Sequence, residues 1–230
     1  MKRFRPILIL VTLSLVFSLA ACGSGGTTTQ DVVEADAKAG DLVTYGRTEQ
    51  DDNRADGKEP IVWRVLEVRD GQALLLSDKN LDAKAYNTSE SNLTWATSTL
   101  RAWLNKDFLN DAFTKTEASA IVQTTLENPD NPTYGTSGGD ATIDRVFLLS
   151  IEDARNYFTT DESRVSLNTV YAIEQGADDI AGAGWWWLRT PGLYRSAACV
   201  SRDGSVFEGG RATNDDRSAI RPAMWVKMAA

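Results

Sequence analysis

The alternation of apolar and polar positions divides the chain into segments of two different periods. Leu42 to Gly46, Ile61 to Val68 and Gln72 to Ser77 alternate or run apolar over short stretches, the pattern of strands. The last two are joined at Arg69-Asp70-Gly71, and Asp-Gly is a strong tight-hairpin signal because both turn positions favour a left-handed backbone. From Leu100 the period lengthens. Leu100, Trp103, Leu104, Phe108, Leu109, Ala112 and Phe113 recur at helical spacing, with Thr97 or Ser98 available to cap the first turn. Thr114 and Glu117 form a capping-box pattern that opens a short helix through 118–122, and Ser150 and Asp153 repeat it before 154–158. A fourth short helix is predicted over 169–175, stopping at Gly176. Strands return at Arg145 to Leu149, Trp185 to Arg189, Ala197 to Ser201, Ser205 to Glu208 and Ala219 to Lys227, and Asp203-Gly204 marks another hairpin. Glu49 to Glu59 and the Pro- and Gly-containing passage from Asn128 to Asp140 read as connections. The pattern predicts a single α+β domain over 40–230, with short helices and antiparallel strands.

The N-terminus departs from this scheme. Lys2, Arg3 and Arg5 precede an apolar run from Ile7 to Ala20, the organisation of a secretory signal peptide over 1–21. That run falls short of the roughly 20 apolar residues that span a bilayer comfortably. Leu19-Ala20-Ala21-Cys22 resembles the lipobox of bacterial lipoproteins, which implies that Cys22 is acylated and becomes the first mature residue. On that reading, diacylglyceryl and acyl groups on Cys22 hold the protein to the extracytoplasmic, cell-surface side of a membrane. Residues 22–39 are then a tether, and its Gly23 to Gln30 stretch is a flexible spacer.

Charge and composition narrow the function. The chain carries a formal charge of −8, and removing 1–21 with its three basic residues leaves −11. Such a surface disfavours nucleic acid and offers no basic attraction to anionic lipid, so multiple acylation must supply the membrane hold. With Cys22 lipidated, Cys199 has no partner for an intrachain disulfide, and its apolar neighbours suit a buried strand. The chain contains no histidine, which excludes Ser-His-Asp triads, Cys-His dyads and histidine-ligated metals. The acids of Glu49 to Glu59 do not fit a calcium loop: read from Asp52, Arg54 falls at a ligand position and no Glu closes the loop. No cofactor is expected.

Trp185-Trp186-Trp187-Leu188-Arg189-Thr190-Pro191-Gly192 places Trp185 and Trp187 on one face of a strand and Trp186 on the other. At least two of the three are expected in the core, the other being free to stack on a ligand. This segment, followed by Ser201-Arg202-Asp203-Gly204-Ser205-Val206 and Ile220-Arg221-Pro222-Ala223-Met224-Trp225-Val226, resembles an uncharacterised family of bacterial surface proteins. Members of that family carry WWLRSPG, a DGSV-type hairpin and VRPALW in this order. Gly57 to Leu66 and Leu100 to Asn105 resemble the family too, so the likeness covers about 40–228.

More distantly, the C-terminal order of motifs looks like the C-type-lectin fold. That likeness implies a structural role for Arg221 and ligand binding on the face of the last strands. The positions matching that face are Tyr194, Arg195, Phe207, Glu208, Arg211, Asn214 and Arg217, to which Trp186 is added as a stacking platform. Calcium-binding ligand sets and paired cysteines of that fold are missing, so neither its calcium-dependent sugar binding nor its sulfatase-modifying activity carries over. The expected function is non-enzymatic: a lipid-anchored binding or display protein for a glycan, wall polymer or protein. The alternatives are an assembly component of the envelope and, less favoured, a hydrolase built on paired carboxylates such as Asp203 and Glu208.

Overall fold

A computed structural model describes residues 32–229. The expected signal peptide, Cys22 and the spacer to Gln30 lie outside the described residues, but the tether expected over 22–39 ends sooner: Val33 is buried in the core and its carbonyl accepts from the Ala229 amide at 2.7 Å. Two sheets and a set of short helices share one hydrophobic core, an α+β architecture. The first sheet is antiparallel in the order β1 (Leu42–Thr48), β2 (Glu59–Arg69), β3 (Gln72–Ser77), with a last strand at its edge from the C-terminus. β2 and β3 turn at Asp70 and Gly71, whose φ values of 50° and 70° are the left-handed pair that the Asp-Gly signal demands.

After the two-residue β4 (Asp82–Ala83), the helical run over 99–112 consists of α1 (Thr99–Trp103), a π-helical turn (Leu104–Phe108) and α2 (Leu109–Ala112). Ser98 caps it, its Oγ accepting from the Arg101 amide at 3.1 Å. The Thr114–Glu117 capping box is formed and opens α3 (Lys115–Ala120). α3 stops before 122 because the Val122 amide turns away to the Trp225 carbonyl at 2.8 Å. A two-stranded ladder, β5 (Thr124–Leu126) with β6 (Thr142–Asp144), follows. Then come α4 (Ile151–Tyr157), opened by the Ser150–Asp153 box, α5 (Asp161–Arg164), which the pattern does not predict, and α6 (Val170–Glu174).

The expected strand over 145–149 is replaced by extended chain with a single bridge from Phe147 to Ala223. Two of its other amides find a side-chain partner instead: Asn105 Oδ1 accepts from the Arg145 and Val146 amides at 2.8 and 3.2 Å. This distant side chain satisfies the start of the segment, where a ladder partner would otherwise be needed.

The second sheet is mixed. β7 (Trp186–Pro191), β8 (Ser196–Val200) and β9 (Val206–Ala212) form a meander, and β10 (Ala219–Ile220) runs parallel to β7 on its other side, against β4. The strand expected over 219–227 is therefore two strands. It breaks at Arg221-Pro222, where the chain leaves the second sheet and continues as β11 (Ala223–Lys227) at the edge of the first. Arg221 sits buried at this joint. Its guanidinium donates to the Ser77 carbonyl at 3.0 Å and the Arg164 carbonyl at 3.3 Å, between the rings of Trp186 and Phe158. The Asp203-Gly204 hairpin is present, and Gly204 is required there: at φ +84°, a Cβ would stand 1.7 Å from the Asp161 carbonyl.

Candidate functional site

An open depression of about 710 Å³ lies along β9 and the turn between β7 and β8. Its construction begins with the register of β8 and β9. Between Ala197↔Arg211 and Cys199↔Phe207 the β9 strand takes four steps where β8 takes two, a bulge carried by Gly210 at φ +74°. The bulge leaves the backbone of Gly209 and Gly210 bare at the floor, and the Gly209 carbonyl accepts from the Leu193 amide at 2.9 Å. That bond shapes the turn after Pro191, along with one from the Gly192 amide to the Ser196 carbonyl at 2.7 Å.

At the tip of this turn Tyr194 adopts φ +53°, unfavourable for an aromatic residue, and exposes 78% of its surface. Phe207, Leu193 and Tyr134 add further exposed apolar surface, while Glu90, Asn92, Arg195 and Ser196 give the walls hydrogen-bonding groups. Tyr134 is held over the groove by buried Asn131. Its Oδ1 accepts from the Thr133 and Tyr134 amides, both at 3.0 Å, and its Nδ2 donates to the Pro191 and Glu208 carbonyls at 2.8 and 3.0 Å. One side chain thus ties three segments together.

Of the residues expected to bind, Tyr194, Arg195 and Phe207 line this groove. Glu208 sits beside it, committed to Arg155 and Thr133. The Thr133 hydrogen bond, with Arg155 in addition, holds its carboxyl below the usual range against the opposing effect of burial. Arg211 is drawn down onto Asp178 at 2.7 Å and Asp215 at 2.5 Å, with its guanidinium 5.2 Å from the Trp185 ring. Arg217 reaches the same two acids more loosely, and Asn214 is exposed in the turn after β9, away from the groove lining.

Trp186 requires correction. It is fully buried, its Nε1 donating to the Arg164 carbonyl at 3.2 Å, and cannot meet a surface ligand. Strand alternation would have exposed one tryptophan, but β7 is covered on both faces. Trp187 is equally buried, and Trp185, just before the strand, is the partly exposed one, packed edge-on against Phe207 at 6.0 Å. The groove also contains residues not singled out from sequence. Leu193 gave a readable signal as an apolar neighbour of Tyr194 in a Pro-Gly turn, and so did Tyr134 as an aromatic in a polar loop. Glu90 and Asn92 gave none, since only the fold brings them here.

Other candidate chemistry is placed as follows. Burial pushes the Cys199 thiol up to about 12, so it stays protonated and unreactive at neutral pH. Asp203 faces its own hairpin, accepting from Ser205, and its carboxyl is lowered by those bonds. Neither Asp203 nor Glu208 has the raised pKa of a general acid. Glu49, Asp51 and Glu59 bring carboxylate oxygens within 4.8 Å of one another in the 49–59 loop, where they already accept from the Gln50 and Asn53 amides. Among the described residues, no helix is long and apolar enough to cross a membrane.

Residues 70–228, from the β2–β3 turn to the end of β11, match the model of a family described as a domain of unknown function, DUF6273. No curated protein and no solved structure matches the chain. The match spans more than two-thirds of the sequence and takes in β7, the β8–β9 hairpin and the Arg-Pro joint; the chain belongs to the DUF6273 family.

Proposed function

We propose that the protein is a lipid-anchored, extracytoplasmic binding protein that presents the β9 groove to an extracellular glycan. The observation that carries this reading is Tyr194, a solvent-exposed ring held in an unfavourable backbone conformation beside Phe207 and Tyr134. Such strain gives nothing to the core, and clusters of it occur where ligands are met. Aromatic faces next to Glu90, Asn92 and Arg195 match the alternation of apolar faces and hydroxyls on a sugar ring. The C-type-lectin-like reading belongs to this proposal: a buried Arg221 stabilises the closing joint while the last strands carry the ligand surface. Anchoring rests on the lipobox resemblance at Cys22.

Two measurements test the proposal. Full-length protein in nonionic detergent, applied to glycan and cell-wall arrays, is expected to bind a restricted set of glycans, and Tyr194→Ala and Phe207→Ala to weaken binding roughly ten-fold each. Binding that ignores both changes, or none at all, would sink the glycan reading. Metabolic labelling with a clickable acyl chain is expected to mark the protein and to be lost in Cys22→Ala, with release from the membrane fraction. A second reading, an envelope assembly component, is favoured by exposed Leu167 and Ile180, whose backbones both bridge to Ala183, together with Val170 and Ile173 on α6. Charged substitutions at Leu167 and Ile180 that disrupt a cross-linked complex, while leaving array binding intact, would support it.

A further inference from the structure

A second cleft, of about 350 Å³, opens beside β4, at the opposite edge of the second sheet from β9. One part of its wall is aromatic: Trp103 and Phe108 from the helical run over 99–112 and Tyr171 from α6. The rest carries four carboxylates, Glu49, Asp82, Asp107 and Asp111, against a single ammonium, Lys84. Lys84 shows how a cation sits here. Its Nζ lies 3.2 Å from Asp82 Oδ2 and 4.8 Å from the centroid of the Trp103 ring, so charge and ring face act on the same group.

One lysine does not balance this wall. Lys58 meets Asp111 at 2.5 Å from the exposed rim and Arg54 lies beside the Tyr171 hydroxyl, which still leaves Glu49 and Asp107 without an ion pair to any described residue. Asp82 is buried, and burial raises its carboxyl in spite of Lys84. The neighbouring acids Asp51 and Glu59 deepen the negative potential at Glu49. Acids alone would describe any acidic surface or a site for an inorganic cation, which needs oxygens and nothing else. The aromatic side chains in the wall are what distinguish this cleft, because they favour a cation that carries hydrocarbon.

We infer that the β4 cleft binds a small alkylammonium ion, its charged head among Asp107, Glu49 and Asp82 and its carbon stem against Trp103 and Tyr171. Lys84 then acts as an internal occupant that competes with the ligand for Trp103. The cleft is separate from the β9 groove, so the inference stands independently of the glycan reading.

Calorimetric titration of the full-length chain in nonionic detergent with cadaverine tests it, with 1-pentanol as the uncharged control. Cadaverine is expected to bind saturably at one site and pentanol not to bind. Asp107→Asn, a change at an exposed side chain, and Trp103→Leu are each expected to weaken cadaverine roughly ten-fold, and Lys84→Met to tighten it. Near-ultraviolet circular dichroism reports that each variant is folded. Absence of saturable binding, equal affinity for cadaverine in Asp107→Asn and Trp103→Leu, or weaker binding in Lys84→Met would each overturn the inference. Displacement of cadaverine by calcium in a Trp103-independent manner would do the same, by assigning the charge to the 49–59 acids.

Discussion

Arg221 holds a positive charge where solvent does not reach it, and the reason it can do so is local. Burial pulls its pKa down to about 9, which still leaves it charged at neutral pH. Carbonyls of Ser77 and Arg164 accept from it, and the Trp186 and Phe158 rings present their faces at 5.0 and 5.5 Å. Arg221→Met keeps the aliphatic bulk but takes a donor from the buried Ser77 carbonyl, while the Arg164 carbonyl keeps its bond from Trp186, so the change is expected to cost about 1–3 kcal/mol of stability, read from the denaturant midpoint. A variant as stable as the parent would show that the cost of burying the charge offsets its bonds. A structural role for this arginine was implied by the C-type-lectin likeness alone, whereas the burial of Cys199 was legible through its apolar neighbours. Trp186 was misread, because strand alternation tells which way a side chain points but not whether anything covers that side.

At the scale of elements, the features that could be read are those closed within about four residues. The Asp-Gly hairpins, the Ser98 cap and the Thr114 and Ser150 boxes all bond to near neighbours, so the local sequence specifies them. The 145–149 segment and the 219–227 strand escaped for the converse reason. Asn105 and the Arg221 joint act on them from 40 and more residues away in the first case and from a different sheet in the second.

The Ser150 box has a further partner, also distant: Arg189 on β7, whose guanidinium donates to Asp153 at 2.5 Å and to the Leu148 carbonyl at 3.0 Å. Burial by itself would raise the Asp153 carboxyl, but the charge of Arg189 and the bonds from Ser150 outweigh it and the pKa is lowered. With the folded value depressed, the unfolded chain takes up the proton first. The contribution is therefore complete above the unfolded carboxylate pKa of about 3.9 and is lost as pH falls through the folded value. Asp153→Asn is expected to flatten the decline in stability on acidification below about pH 4, measured by thermal melts across pH. An unchanged acid slope would remove Asp153 from the groups that set it.

For the whole molecule, the α+β class followed from period alone, whereas the groove did not, since its walls come from 90, 92, 134, 193–196, 207, 209 and 210. Asn131 and the Gly210 bulge bring these pieces together, and neither announces its partners in sequence. The joint at Arg221-Pro222 has a consequence for how the molecule opens. Because one chain segment is a strand of both sheets, neither sheet can fray by itself without pulling on the other. The amides of Ala219 and Ala223, bonded to the Trp185 and Phe147 carbonyls on either side of the joint, are expected to exchange with deuterium at one shared, slowest rate. Two distinct protection levels across Arg221 would mean that the sheets open separately. With a shared rate, local breathing is confined to the loops and helix ends, and the two sheets open only when the whole domain does.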